Sequence, residues 1–253
     1  MANTVAASSS NRARELLGPP LTYLRSMAAF ALIWWAASVL TDNPLLLPSP
    51  QAVSAAFAGL ALDGELFTQS ALSVVRLLAA LLIAFAIAAP LGLAMGMSKR
   101  FEEFVDPVVE LLRPISGIAW IPLGLFIFGV GQSLPIFIMA YTATFPVLIG
   151  TVSGVKSVDR KLVRAAETMG LSQSAIVARV VVPSILPALL VSLRLGVASA
   201  WTAVIAAELV GAPNGLGYAI SWYREMLVTP KMIAFIAMVG VCGYFCDLAL
   251  RLL

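Results

Sequence analysis

Few residues of this sequence could do chemistry. The chain of 253 residues has no histidine and only two cysteines, Cys242 and Cys246, four residues apart in an apolar run. Two thiols without further ligands make no credible metal site, and no glycine-rich loop with Lys and Ser or Thr is present to hold a nucleotide phosphate. No nucleophile stands beside a base. We therefore predict a protein that is not an enzyme, binds no metal and holds no cofactor of its own.

Two charged residues stand within or at the end of one apolar run, and such residues are candidates for function because an unpaired charge in hydrocarbon is costly. Arg194 lies inside the run and Glu208 at its end. Arg194 could attract an anion in transit, or it could pair with an acid or with carbonyl groups between helices, which is the commoner outcome. Glu208 could serve as a gate, a structural pair or a contact for a partner protein.

An aromatic residue and a proline interrupt another apolar run. Trp120 is followed two residues later by Pro122. Irregular backbone is tolerated within a membrane only where it is buried or lines a cavity. Trp120 is therefore either a wall or gate of a pathway, or a packing residue.

The composition indicates which class of protein holds these residues. A hydrophobic fraction of 60% with 11% charged residues is typical of a membrane protein, and a net charge of +3 is too small to indicate a nucleic-acid surface. We predict a cytoplasmic tail over residues 1–22 and a single transmembrane domain over residues 23–253.

Six apolar runs predict six transmembrane helices, so that both termini lie on one side. The predicted spans cover about residues 26–40, 76–97, 114–128, 133–155, 184–207 and 232–250. Between them we expect an amphipathic surface helix over residues 51–62, a charged turn over residues 99–103 and a polar glycine-rich loop over residues 211–224.

The longest charged insert runs from Asp159 to Pro187 and is predicted to form two helices joined by a turn at Gly170, which we call the elbow. Asp159 can cap the first helix, and Gly170 stands where a left-handed stop belongs. The first helix presents Leu162, Val163, Ala166 and Met169 on one face, Ser172 and Ser174 can cap the second helix, and that helix reaches Pro183. A connector is the simplest interpretation of such a pair.

The distribution of basic residues predicts the orientation. Of the 16 Lys and Arg residues, twelve, among them Arg113, fall on the side that carries the insert and both termini. Three, including Arg76, fall on the other side, and Arg194 lies within a span. Since cytoplasmic loops carry the excess of Lys and Arg, the insert is predicted to be cytoplasmic.

The insert resembles the cytoplasmic loop of permease subunits in bacterial ATP-binding-cassette (ABC) importers. That loop reads Glu-Ala-Ala, three residues, Gly, nine residues, then Ile-x-Leu-Pro, and the register here is Arg164-Ala165-Ala166, Gly170 and Val180-Val181-Val182-Pro183. Arg164 replaces the leading acid; Glu167, one turn further on, could substitute for that acid or could pair with Arg164. The resemblance implies a coupling loop over about residues 156–183, with Asp159, Arg164, Ala165, Ala166, Glu167, Gly170, Leu171, Val182 and Pro183 as its coupling residues.

Further stretches are similar to permeases for nitrate, taurine and aliphatic sulfonates. They are Leu47-Pro48-Ser49-Pro50, Arg113-Pro114-Ile115, Ala119-Trp120-Ile121-Pro122-Leu123, Leu193-Arg194-Leu195-Gly196, Trp201, Ala206-Ala207-Glu208 and Gly215-Leu216-Gly217-Tyr218. The resemblance implies an all-α membrane protein with the type I importer permease fold. The candidate substrate pathway is Trp120, Pro122, Arg194, Trp201 and Glu208.

The resemblance also implies the partners and the mechanism. It implies two cytoplasmic ATP-binding subunits that hold ATP and Mg, a periplasmic or lipid-anchored binding protein, and a second permease copy in the bacterial inner membrane. Transport of a small anion would proceed by alternating access. If the cargo is an oxyanion, Arg194→Leu would nearly abolish transport.

Two alternatives remain from the sequence. The same importer class could carry bicarbonate or a neutral vitamin or pyrimidine precursor. A secondary transporter is more remote, because the sequence lacks the internal repeats and buried acidic relays expected of one.

Overall fold

The computed structural model describes residues 25–251, with side chains through residue 249, and all the regular elements of that part of the chain are helical. In chain order they are α1 (Arg25–Thr41), α2 (Pro50–Leu62), α3 (Glu65–Met97), α4 (Lys99–Leu112), a 3₁₀ turn (Gly117–Trp120), α5 (Ile121–Phe128), α6 (Ser133–Ser157), α7 (Arg160–Thr168), α8 (Gln173–Ile176), a π segment (Val177–Val181), α9 (Val182–Gly211), α10 (Leu216–Glu225) and α11 (Thr229–Arg251). The predicted tail over residues 1–22 lies outside the described residues.

Within the described residues, four helices are long and apolar enough to cross a membrane. They are α3, α6, α11 and one continuous helix of 39 residues from Gln173 to Gly211. The pair of α4 and residues 117–128 makes a fifth if it counts as one span, and it is bent by 82°. Helix α1 is apolar but shorter. The count of six spans therefore stays a prediction.

The core of the bundle is α6, which packs between α3 and α9. Small residues allow these crossings. A Cβ atom on Gly92 would lie 2.7 Å from the Cβ of Thr151, and one on Gly150 would lie 1.8 Å from the Oγ of Ser192. Glycines at helix contacts let backbones approach closely, which is how apolar helices associate where no hydrophobic effect drives them.

The bundle has two distinct ends. One end carries α7, and we call it the α7 end; the other carries α10, and we call it the α10 end. The hydroxyl of Tyr223 in α10 donates a hydrogen bond to Glu65 at the start of α3, at 2.7 Å. Burial, helped by the bond to Glu65, raises the pKa of Tyr223 to about 12, so the phenol keeps its proton and α10 stays fastened to α3.

The second predicted span was placed too late. Helix α3 begins at Glu65, not near Arg76. The polar residues before Arg76 misled the prediction because Ser70 and Ser73 are buried on the same helix face as Leu66 and Leu77. The buried residues therefore continue at helical spacing through residues 65–75, although this stretch is polar in sequence, and Arg76 lies inside the helix.

Three other predictions of local structure were wrong. The charged turn at residues 99–103 is the first part of α4, whose first turn is capped by the Ser98 hydroxyl. The third span was predicted to begin at Pro114, but helical structure begins only at Gly117, because the chain breaks after Arg113, where Pro114 has no N–H to continue α4. The glycine-rich loop contains α10. The helix predicted at residues 51–62 is present as α2, but it packs on α11, with Leu60 fully buried.

Candidate functional site

The predicted pair of helices at the α7 end is present. The Asp159 carboxylate accepts a hydrogen bond from the Lys161 N–H at 2.8 Å and so caps α7. Gly170 has a left-handed backbone with φ 79°. Its N–H donates to the Glu167 carbonyl at 2.9 Å, and the Leu171 N–H donates to the Ala166 carbonyl at 3.2 Å. These two bonds close the end of the helix and leave the elbow rigid.

Helix α7 divides its apolar residues between two faces, which corrects the single face predicted. Ala166 is buried against Ile176 and Val181. Leu162 is 52% exposed and Met169 is 79% exposed. The remaining coupling residues of α7, Arg164, Ala165 and Glu167, are exposed. The outer face of α7 therefore offers two large apolar side chains with small and charged neighbours, and no ion pair joins Arg164 to Glu167.

The elbow continues directly into a long helix. Ser172 caps α8, and the N–H of Val182 donates to the carbonyl of Val177, one residue further back than in an α-helix. Pro183 has no N–H to donate, so the wider π turn accommodates it. Residues 173–211 thereby form one helix from the α7 end to the α10 end.

A buried ion pair lies near the α10 end. Glu208 is fully buried and Arg76 is 3% exposed, and the Arg76 Nη1 donates to the Glu208 Oε1 at 2.5 Å. The Ser73 hydroxyl lies 2.8 Å from both carboxylate oxygens. The Gly217 N–H donates to Oε2 at 2.9 Å. Of the three roles left open for Glu208, the structure shows the structural pair.

The turn before α10 packs directly on this pair. Gly215 has φ 107°, and a Cβ atom there would lie 2.4 Å from the Nη1 of Arg76. The guanidinium also donates to the Asn214 carbonyl at 2.9 Å and to the side chains of Asn214 and Gln132. The two glycines of Gly215-Leu216-Gly217 are thus required so that backbone N–H groups reach the carboxylate.

Arg76 was missed as a site residue because its partner is 132 positions away in the chain. One signal was available: Gln69, Ser73 and Arg76 recur at helical spacing. Gln69 and Ser73 accept hydrogen bonds from the Gly215 and Leu216 N–H groups, at 2.7 and 2.9 Å.

The structure pairs Arg194 with an acid. Its Nε donates to the Oδ1 of Asp247 in α11 at 2.7 Å, with both side chains about 40% exposed. Of the two alternatives for Arg194, the pairing is observed. The other candidates for the substrate pathway do not join Arg194 in one site. Trp201 packs on Gly243, where a Cβ atom would lie 2.5 Å from the indole nitrogen. Pro122 is exposed at the first turn of α5.

We expect Arg194→Leu to lower the amount of folded permease rather than transport by each assembled complex, because the ion pair that joins α9 to α11 is lost. Arg194→Lys should restore most of the protein. Transport normalised to permease in the membrane measures this directly. A normal amount of permease with transport abolished in Arg194→Leu would instead return Arg194 to the substrate pathway.

Trp120 packs edge-on against Tyr141, with ring centroids 5.7 Å apart. Its buried indole N–H has no hydrogen-bond partner among the described residues. Trp120 thus makes a packing contact beside the break in the α4–α5 pair, and its role as a wall or gate of a pathway stays a prediction.

A polar cavity of about 790 Å³ lies next to that break. Its walls are the 113–118 segment, α6 and α9, and its polar lining residues are Arg113, Ser116, Tyr141, Thr142, Ser153, Ser199 and Thr202. None of the five predicted pathway residues lines it. A second, apolar groove of about 1050 Å³ between α3 and α11 is lined in part by Cys242 and Cys246.

Comparison of the sequence with models of known protein families identifies the family of this chain. The family model described as "Binding-protein-dependent transport system inner membrane component" matches residues 86–253. The chain belongs to this family. It is an integral protein of the inner membrane.

The relatives it resembles show that it is an ABC importer permease of the nitrate, taurine and sulfonate branch. The taurine transport system permease protein TauC of Escherichia coli is 33% identical over 90% of this chain and 85% of TauC. The bicarbonate transport system permease protein CmpB of Synechococcus elongatus is 32% identical over 74% of this chain and 67% of CmpB.

A solved structure shows the same fold. A chain of the MetNI methionine ABC transporter in an inward-facing conformation superposes with a TM-score of 0.60 at 18% identity, over 74% of this chain and 95% of that one. The type I importer permease fold predicted from the sequence is confirmed.

Proposed function

We propose that this permease carries a small anion from the periplasm to the cytoplasm by alternating access driven by ATP. The observation that carries the proposal is the single helix of residues 173–211, because it begins at the α7 elbow and bears Ser199 and Thr202 of the polar cavity. A force applied to the elbow therefore reaches the cavity wall through continuous backbone. A rigid element of this kind can convert docking of a partner into a change of access.

The exposed face of α7 is the proposed docking surface for a cytoplasmic ATPase. Leu162 and Met169 offer apolar area, and exposed apolar side chains rimmed by charges are typical of an interaction site. Two ATP-binding subunits, each with ATP and Mg, would bind one loop from each of two permease copies. A homodimer is the simplest assembly, because one twofold axis then gives one pathway.

The cargo class follows from the relatives and the cavity. TauC is named for taurine and CmpB for bicarbonate; taurine carries a sulfonate and bicarbonate is a small oxyanion. The cavity is lined by one cation and by hydroxyl groups. A periplasmic or lipid-anchored binding protein would select among such anions, with both permease termini in the cytoplasm. A neutral vitamin or pyrimidine precursor is the alternative cargo.

Reconstitution tests this proposal. The permease is placed in vesicles with its ATPase, and hydrolysis is measured with and without the loaded binding protein. We expect the loaded binding protein to stimulate hydrolysis and ATP to drive uptake. Uptake driven by an ion gradient without ATP would indicate a secondary transporter and contradict the proposal.

A further inference from the structure

Arg113 is exposed on the wall of the polar cavity, part-way along the helices of the bundle, although the sequence placed it with the cytoplasmic residues. The hydroxyl of Tyr141 donates to the carbonyl of Leu112, next to Arg113, at 2.7 Å. Tyr141 is eight residues into α6, which corresponds to about 12 Å from the α10 end of that helix in a helix of 25 residues. The break after α4 therefore brings Arg113 to the middle third of a membrane-spanning helix.

The Arg113 guanidinium has no ion-pair or hydrogen-bond partner among the described residues, and it lines the polar cavity. Arg76 and Arg194 are paired by contrast, Arg76 with Glu208 and Arg194 with Asp247. No Asp or Glu lines the cavity. A cation inside a membrane without a counter-ion is costly, so its partner is expected to be something that enters the cavity.

The hydroxyl groups of the cavity divide into two sets. Tyr141, Thr142 and Thr202 donate their protons to backbone carbonyls at 2.7–2.8 Å. The hydroxyl protons of Ser116, Ser153 and Ser199 have no acceptor among the described residues. Ser116 only accepts, from the Ile118 N–H at 3.4 Å.

These donors stand on all three walls of the same cavity. Ser116 lies in the 113–118 segment, Ser153 in α6 and Ser199 in α9. A site that offers one guanidinium and three free hydroxyl protons, without a carboxylate, matches a ligand rich in acceptor oxygens and negative in charge.

We propose that Arg113 and the hydroxyls of Ser116, Ser153 and Ser199 form an anion-binding station inside the permease, which takes sulfonate or carboxylate-like oxyanions. This anion-binding station rests on the proposed function and extends it. The permease itself, and not only a binding protein, would select for negative charge. Arg113 supplies the charge that offsets the lost hydration of the anion, and the serines orient its oxygens. Because Ser199 belongs to the helix of residues 173–211, occupancy of the station is sensed by the element that carries the coupling elbow.

The test is anion binding to the permease–ATPase complex in lipid nanodiscs, without binding protein. Ethanesulfonate, taurine, bicarbonate and the neutral pyrimidine uracil are titrated by calorimetry. We expect at least one anion to bind wild type, and Arg113→Gln to weaken that binding about tenfold, as for loss of a charged hydrogen bond. Arg100→Gln is the matched control, because Arg100 is an exposed arginine of the same α4 segment outside the cavity. It should bind as wild type does.

A second, smaller substitution controls for the possibility that Arg113→Gln impairs folding. Ser199→Ala should weaken the same anion about threefold, and both variants are accepted only if they elute as the assembled complex. Equal anion binding in Arg113→Gln or in Ser199→Ala, or binding of uracil alone, would overturn the station. ATP-driven uptake is measured separately on the same preparations: anion binding that depends on Arg113 without such uptake would refute the proposed function and leave the station standing.

Discussion

Glu208→Leu is expected to destabilise the folded permease by about 3–5 kcal/mol, because it leaves the buried Arg76 cation without its counter-ion. The Arg76 side chain is 3% exposed, and the Gly215 turn covers it. Water therefore cannot replace the carboxylate. The measurement is thermal unfolding of the purified protein in detergent, monitored through the reactivity of the thiols of Cys242 and Cys246.

Two companion variants separate loss of the ion pair from loss of a side chain. Glu225→Leu removes a carboxylate from the same end of the bundle, but Glu225 is 65% exposed and 3.8 Å from Arg224, so little change is expected. The double change Arg76→Leu with Glu208→Leu should recover part of the stability, since no charge is then stranded. Equal stability of Glu208→Leu and wild type would show that the pair is not structural.

Gly170→Val is expected to uncouple hydrolysis from transport while the protein still inserts and folds. With φ 79°, Gly170 has a backbone that a β-branched residue adopts only at a cost of roughly 1–2 kcal/mol. No atom lies within 4 Å of the Cβ that would be added. The strain therefore acts on the elbow itself, and the orientation of α7 changes relative to α8.

Gly170→Asn is the matched control, because asparagine tolerates the left-handed backbone. Transport per ATP hydrolysed should fall strongly in Gly170→Val and remain near wild type in Gly170→Asn. If both variants are impaired equally, the space beside Gly170 matters and the backbone does not. Normal coupling in both would remove the elbow from the mechanism.

Local features were predictable from the sequence and long-range partners were not. The caps at Asp159 and Ser172 and the stop at Gly170 depend on neighbours a few residues away, so residue type and spacing were sufficient. The ion pairs of Arg76 and Arg194 join residues 132 and 53 positions apart. No spacing rule connects such partners, so the sequence left their roles open.

The depth of Arg113 shows a second limit. A charge between apolar runs normally marks a loop outside the membrane, and the positive-inside count used it in that way. The structure breaks the α4–α5 pair with a bend of 82° instead, and the break carries Arg113 to the polar cavity. The hydrogen bond of Tyr141 to the Leu112 carbonyl fixes that position, and it became visible only in three dimensions.

A cytoplasmic ATPase is expected to bind this permease at the outer face of α7. Met169 is 79% exposed on that face, so a Met169→Cys variant, in a background without Cys242 and Cys246, reports its surroundings. In inverted vesicles we predict labelling by a membrane-impermeant maleimide, protection when the ATPase is bound, and cross-linking to that ATPase by a short bifunctional maleimide. Labelling of Met169→Cys from outside in intact cells, or unchanged labelling with the ATPase bound, would contradict the account.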